Sequence, residues 1–143
     1  MNDANTLAAL ERLIDLYCEA WNESDAVHRE MILRQVWAED ATYTDPRGHV
    51  KGIQELGNYI GWVQSSRPGA KVIRTSAVDS HHRLVRFAWR VMEADGTMLP
   101  EGIDFAELSG DGKLRRIVGF FGPLASKEQA SAQALMTVGA SMS

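Results

Sequence analysis

The chain has 143 residues, a formal net charge of −4 from 15 Lys and Arg against 19 Asp and Glu, and 45% hydrophobic residues. That length suits one domain with a single core, and the composition is that of a globular protein. The acidic balance argues against nucleic acid as a partner, because phosphate binding relies on clustered Lys and Arg, and no apolar run is long enough to span a membrane.

Met1 to Thr6 has neither a basic region nor an apolar stretch, so no secretion signal is expected and a cytoplasmic location is the default. Residues 5–22 predict an amphipathic helix with Leu7, Leu10, Ile14, Tyr17 and Trp21 on the inward face. Cys18 is the only cysteine; it rules out an intrachain disulfide, fits a reducing compartment and reads as core or flank filler. Asn22-Glu23-Ser24-Asp25 breaks the pattern, and Ser24 or Asp25 can cap a second helix running to about Trp37, with Ile32, Leu33, Val36 and Trp37 inward. Residues 41–45 predict a short strand with Ala41, Tyr43 and Asp45 on one face. Pro46-Arg47-Gly48 follows as a turn, and Gly52 leads into a third helix, about 53–65, carrying Ile53, Leu56, Ile60 and Val63 and ended by Arg67-Pro68-Gly69.

The second half reads as four long strands at 71–80, 83–93, 98–109 and 113–122. The turns between them are Ser80-His81-His82, Ala94-Asp95-Gly96 and Gly110-Asp111-Gly112. Within the last strand, Leu114-Arg115-Arg116 is the basic start of a buried strand rather than an RNA-binding element. Consecutive strands on short turns form an antiparallel meander, and helices followed by strands argue for an α+β domain over residues 1–124. Residues 125–143, rich in Ala, Ser and Gln, form a C-terminal tail or short helix.

Three polar groups stand in apolar settings: Tyr17, Asp45 and Asp104. Each has an ordinary explanation. Tyr17 can be a core tyrosine with a satisfied hydroxyl, and Asp45 before Pro46 can be a turn residue. Asp104, between Ile103 and Phe105 in a long strand, needs either an edge position or a reason to face inward. The histidines point to no metal: His28 and His49 lack a partner at ligand spacing, and His81 and His82, adjacent on a strand, would face opposite ways. No Ser sits in a nucleophile elbow, and Gly110-Asp111-Gly112 is a hairpin turn, not a phosphate loop.

Across residues 5–123 the chain resembles the nuclear transport factor 2-like (NTF2-like) superfamily, and within it the ketosteroid isomerase and SnoaL-like polyketide cyclase group. The resemblance is carried by Tyr17 with Trp21-Asn22 near the end of the first helix, Trp37-Ala38-Glu39-Asp40-Ala41-Thr42-Tyr43-Thr44-Asp45-Pro46, Lys51-Gly52-Ile53, Gly102-Ile103-Asp104-Phe105, Gly110-Asp111-Gly112-Lys113-Leu114 and Val118-Gly119-Phe120-Phe121-Gly122. It implies a cone-shaped barrel in which three N-terminal helices pack on a strongly curved, mainly antiparallel sheet closed around a cavity. It also implies that Asp45 is the general base, and that Tyr17 and a protonated Asp104 are the donors to an oxyanion. There are two departures from the group. The stretch between Tyr17 and Asp45 is about four residues longer, and a supporting tyrosine implied on the third helix falls at Ile60.

On that resemblance the chain is a cofactor-independent isomerase or cyclase, without metal, acting on a small, mostly apolar carbonyl compound. Trp21, Trp37, Tyr43, Trp62, Phe87, Trp89 and Phe121 are the candidate substrate-binding aromatics. An apolar outer sheet face implies a homodimer. The alternatives are a non-catalytic ligand-binding or dimerisation module, the latter if Trp37, Trp62 and Trp89 fill the cavity, or a dehydratase or epoxide hydrolase of the same fold. The hydrolase would use an Arg between two Asp residues, for which Arg86 and Arg90 are the candidates.

Overall fold

Helix α1 (Asp3–Asn22) and helix α2 (Ala26–Val36) open a computed structural model that describes residues 3–131. The core face of α1 begins at Leu10 and continues through Ile14 and Tyr17; Leu7, expected on that face, is exposed. Asp25 is the N-cap of α2, its carboxylate accepting from the Val27 and His28 amides at 2.9 and 3.0 Å. Leu33 and Val36 are buried, and the helix ends one residue earlier than expected because Trp37 is already extended (φ −108°, ψ 125°). Trp37 opens strand β1 (Trp37–Asp45), which buries Ala41, Tyr43 and Asp45.

The turn after β1 is shorter than expected. Gly48 already belongs to strand β2 (Gly48–Lys51), which pairs back on β1 with Asp45 opposite Gly48 and Tyr43 opposite Val50. Four residues with two polar side chains are too few to show an alternation in the sequence. Helix α3 (Gly52–Ser66) buries Leu56 and Ile60.

The predicted strand 71–80 is two strands, β3 (Lys71–Arg74) and β4 (Asp79–His81). Both pair with β5 (Leu84–Met92), and between them the Ser76 hydroxyl takes the Ala88 amide at 2.7 Å in place of a backbone carbonyl. The next turn falls on His82 and Arg83, both at positive φ, rather than on Ser80-His81-His82. Because His82 leaves strand geometry, the rings of His81 and His82 do not face opposite ways; their Nδ1 atoms lie 3.1 Å apart. Strand β6 (Gly102–Leu108) begins later than expected, since Pro100 has no amide to give a ladder. Strand β7 is Leu114–Phe120.

The seven-stranded sheet runs β2-β1-β7-β6-β5-β3, with β4 also on β5. Only β1 and β7 are parallel. The sheet does not close on itself as expected of a barrel: β2 and β3 are its edges, and the helices span the opening, α3 against β1 and β2 and α1 against β3. Ile14, Leu33, Val36, Trp37, Leu56 and Ile117 are almost wholly buried between the layers, each aliphatic side chain contributing about 1.5–3 kcal/mol of transfer free energy.

Two polar clamps fix the end of α1 over the sheet. The Asn22 side chain accepts from the Val72 amide at 2.7 Å and donates to the Val72 carbonyl at 2.9 Å, covering the free edge of β3. Buried Arg29 donates to the carbonyls of Glu23, Ser24 and Gly57 and to the Gln64 side chain, tying α1 and α2 to α3. A buried guanidinium is tolerated only when so many donors are met. Residues 127–131 are helical; the rest of the predicted tail lies outside the described residues. Among the described residues, no helix is long and apolar enough to cross a membrane.

Candidate active site

A cavity of about 330 Å³ lies between α1, α3 and the inner face of the sheet. Tyr17 reaches it from α1, Asp45 from the end of β1 and Asp104 from the middle of β6; their exposures are 2%, 9% and 5%. Exposed Arg47, Pro100 and Phe121 also line it, where the cavity meets solvent.

Asp45 both caps the β1–β2 turn and faces the cavity. Its Oδ1 accepts from the backbone N–H groups of Arg47 at 2.8 Å and Gly48 at 3.0 Å. Its Oδ2 accepts from the Tyr43 hydroxyl at 2.8 Å, and the Tyr59 hydroxyl bridges both oxygens at 2.8 Å each. Four donors on one carboxyl group occupy its whole acceptor capacity. Burial first, and then the Asp45 interaction, push the Tyr59 phenol well above its ordinary range.

Asp104 faces inward because Gly102, Asp104 and Ala106 alternate on the buried side of β6, with Phe87 and Gly119 as the cross-strand neighbours of Asp104. Gly119 separates the two acids on three adjacent strands. A Cβ there would lie 2.7 Å from Asp104 Oδ1 and 3.8 Å from Asp45 Cβ, so the missing side chain is what lets both carboxyl groups share one void. The Trp89 indole N–H donates to Asp104 Oδ1 at 2.8 Å. Burial above all raises the Asp104 carboxyl, the Trp89 hydrogen bond opposes it and the charge of Asp45 adds to it, bringing it to about 7. Near neutral pH Asp104 is therefore divided between its two forms, and the protonated one can donate a hydrogen bond.

The Tyr17 hydroxyl lines the same cavity and is buried with the Trp21 side chain as its polar neighbour; among the described residues no acceptor takes its proton. Burial, and next the charge of Asp104, push this phenol well above its ordinary range, so it is a donor. A buried hydroxyl whose proton lacks an acceptor costs about 1–3 kcal/mol, and an oxygen placed in the cavity would meet that need. Neighbouring Cys18 also lines the cavity, but burial pushes its thiol up to about 12, which makes it a poor nucleophile.

Of the aromatics expected around a substrate, Trp21, Tyr43, Phe87, Trp89 and Phe121 line the cavity. Trp37 and Trp62 do not. Trp37 is buried behind Tyr17 with stacked rings 6.0 Å apart, and Trp62 is exposed outside Tyr59. The cavity is thus open rather than filled by Trp37, Trp62 and Trp89. Ile60 is fully buried in the core, and the tyrosine that supports the site is its neighbour Tyr59. Neither Arg86 nor Arg90 lines the cavity: Arg86 pairs with Asp79 outside, and Arg90 donates to the Leu99 carbonyl. Sequence reasoning gave no site role to Tyr59, Arg47, Arg67, Gln64 or Gly119. The Gly119 signal was present as a glycine inside a strand. Among the described residues, no three His, Cys, Asp or Glu side chains are grouped to hold a metal ion.

No protein-family model matches the chain, and no curated protein sequence does. Solved structures do. A protein from Agrobacterium tumefaciens str. C58, described as a proposed isomerase of the SnoaL-like family, is 30% identical over 78% of this chain and 96% of that one, with a TM-score of 0.75. An NTF2-like protein of unknown function from Exiguobacterium sp. 255-15 is 19% identical over 78% and 99%, with a TM-score of 0.63. A proposed SnoaL-like polyketide cyclase from Jannaschia sp. CCS1 is 13% identical over 77% and 85%, with a TM-score of 0.58. The last two are similar in fold.

Proposed function

The chain belongs to the SnoaL-like family, and from that premise we propose that it is a cofactor-independent isomerase or cyclase acting on a small, mostly apolar carbonyl compound. The observation that carries this reading is the buried Tyr17 hydroxyl, which has no acceptor among the described residues, in one cavity with a carboxyl group raised to about 7 and a second that accepts from four donors. The cavity's 330 Å³ sits at the low end of the roughly 300–1,000 Å³ usual for ligand pockets, which suits a compound of one or two rings.

In this reading Tyr17 and neutral Asp104 donate to the carbonyl oxygen. Asp45 takes the α-proton once the substrate displaces one of its phenol donors. The negative charge then moves onto the enolate oxygen, where the two donors already stand. Returning the proton to a different carbon completes an isomerisation. Attack of the enolate carbon on a second carbonyl completes a cyclisation, with the proton passed to the new alkoxide. Trp21, Tyr43, Phe87, Trp89 and Phe121 supply the apolar walls. We further propose a homodimer through the outer face of β6 and β7, where Phe105 and Phe120 are 43% and 55% exposed; sedimentation of the purified protein as a monomer would reject it.

Deuterium uptake at C1 of 2-tetralone in D2O, with binding of 2-naphthol as the mimic of its enol, tests the chemistry. The protein should bind 2-naphthol and speed exchange well above buffer. A second reading, a non-catalytic binding module, is favoured by the filled acceptor sites of Asp45, which leave it no free lone pair in the empty cavity. Binding of 2-naphthol with no exchange above buffer would establish that reading and remove the enzyme.

A further inference from the structure

Proton transfer accounts for the buried end of the cavity but not for its mouth, where the sign of charge reverses. Arg47 and Arg67 are the cationic side chains among its described lining residues. Arg67 is ion-paired with Glu93. Arg47, among the described residues, has no ion pair and no side-chain hydrogen bond; its guanidinium lies 5.8 Å from the centroid of the Phe121 ring, itself part of the lining. An acid stands only two positions away in Asp45, yet the guanidinium does not pair with it, because Tyr43, Tyr59 and two backbone amides already fill both Asp45 oxygens. The Arg47 amide is one of those two, so the turn holds the residue's backbone while its side chain remains free at the rim. Its charge reaches into the site, where it opposes the upward push that burial and Asp45 exert on Tyr59.

An unpaired guanidinium on an aromatic ring, at the opening of an otherwise apolar cavity, is an anion-binding arrangement. We propose that Arg47 reads an anionic group on the substrate, so that the natural compound is an amphiphile. Its carbonyl goes down to Tyr17 and Asp104, its apolar body fills the aromatic walls, and its far end carries a carboxylate or another oxyanion that stays at the mouth against Arg47. The substrate class is then a ring-bearing keto acid rather than a neutral ketone. This rests on the carbonyl-binding reading of the same cavity and adds its second contact point. The acids below do not forbid it: burial raises the Asp104 carboxyl to about 7, four donors stand on Asp45, and an anion at an exposed mouth keeps part of its hydration.

The test uses two fluorescent probes that differ only in a sulfonate, 8-anilinonaphthalene-1-sulfonate and neutral N-phenyl-1-naphthylamine, titrated into the whole chain at low and high salt. The wild type should prefer the sulfonate at low salt and lose the preference at high salt. Arg47→Gln should weaken the sulfonate probe by about tenfold and leave the neutral probe within about twofold, and Arg47→Lys should fall between. Retained binding of the neutral probe shows that the variant is folded. No preference in the wild type, an unchanged sulfonate affinity in Arg47→Gln, or an equal weakening of both probes would each overturn the inference. The outcome is separable from that of the proton-transfer reading. A protein with the sulfonate preference but no exchange of 2-tetralone or of a carboxylate-bearing 2-tetralone keeps the anion site and loses the enzyme; one that exchanges either ketone without the preference does the reverse.

Discussion

The two buried carboxyl groups of the cavity occupy opposite surroundings. At the β1–β2 corner, Asp45 is met by two phenols and two backbone amides, which fill both of its oxygens. On β6, Asp104 has the Trp89 indole as its hydrogen-bond donor and is otherwise desolvated, which favours the neutral form. The same side chain is thus a donor-saturated acceptor at one corner and a desolvated acid at the other. In the proposed reaction that difference assigns proton abstraction to the first and hydrogen-bond donation to the second.

Replacing Asp45 by Asn should break the comparison most sharply. Exchange of 2-tetralone should fall about a thousandfold or more. A loss of less than tenfold would mean that Asp104, not Asp45, is the base.

Asp104→Asn probes the other corner through pH. The folded value of about 7 lies above the ordinary 3.8, so folding favours the protonated form. The stability this group contributes is whole below about pH 4 and is lost as pH rises through about 7. Thermal unfolding at several pH values should therefore show the Asp104→Asn variant gaining on the wild type between pH 4 and 8, by at most about 4 kcal/mol. A difference that does not change with pH would contradict the assignment. The activity should carry the same sign: with Asp104 as a donor, wild-type exchange falls as pH passes about 7, whereas a rise would make Asp104 the base.

Gly119→Ala attacks the space the two corners share. The new Cβ meets Asp104 Oδ1 at 2.7 Å, and the variant should lose about 1–3 kcal/mol in chemical denaturation. Unchanged stability would mean that Asp104 can move aside. The gentlest change is Trp89→Phe, which removes the donor that holds the Asp104 carboxyl down. The Asp104 titration should then move upward, and a downward move would contradict the account.

Much of this site was legible in the sequence, and the rest was hidden for physical reasons. Helical spacing gave the inward face of α1 and hence Tyr17, and the oddity of an acid between Ile103 and Phe105 gave Asp104. Asp45 read by itself as a turn residue, and only the resemblance gave it a site role; in the structure one oxygen caps the turn while the other accepts from Tyr43 at the cavity. Tyr59 was passed over because helical periodicity puts Ile60 in the core, which is where it lies. Tyr59 reaches Asp45 only because Gly48, on the unforeseen strand β2, leaves its ring room; a Cβ there would sit 2.7 Å from Tyr59 Cε2. That fact depends on a hairpin register, not on α3. Trp37 and Trp62 show the converse limit, since ring type alone does not say whether a side chain faces a cavity, a core or solvent. The split of residues 71–80 into two strands depends on a Ser76 hydroxyl standing in for a backbone carbonyl, which no alternation pattern records.

The most direct test is the titration of the Asp104 side-chain carboxyl by carbon-13 NMR in the ligand-free protein, assigned by comparison with Asp104→Asn. The account predicts a midpoint near 7, so that a protonated carboxyl shares the cavity with the Tyr17 hydroxyl through the neutral range. A midpoint close to the ordinary 3.8 would put a second charge in the cavity, remove one of the two oxyanion donors and contradict it.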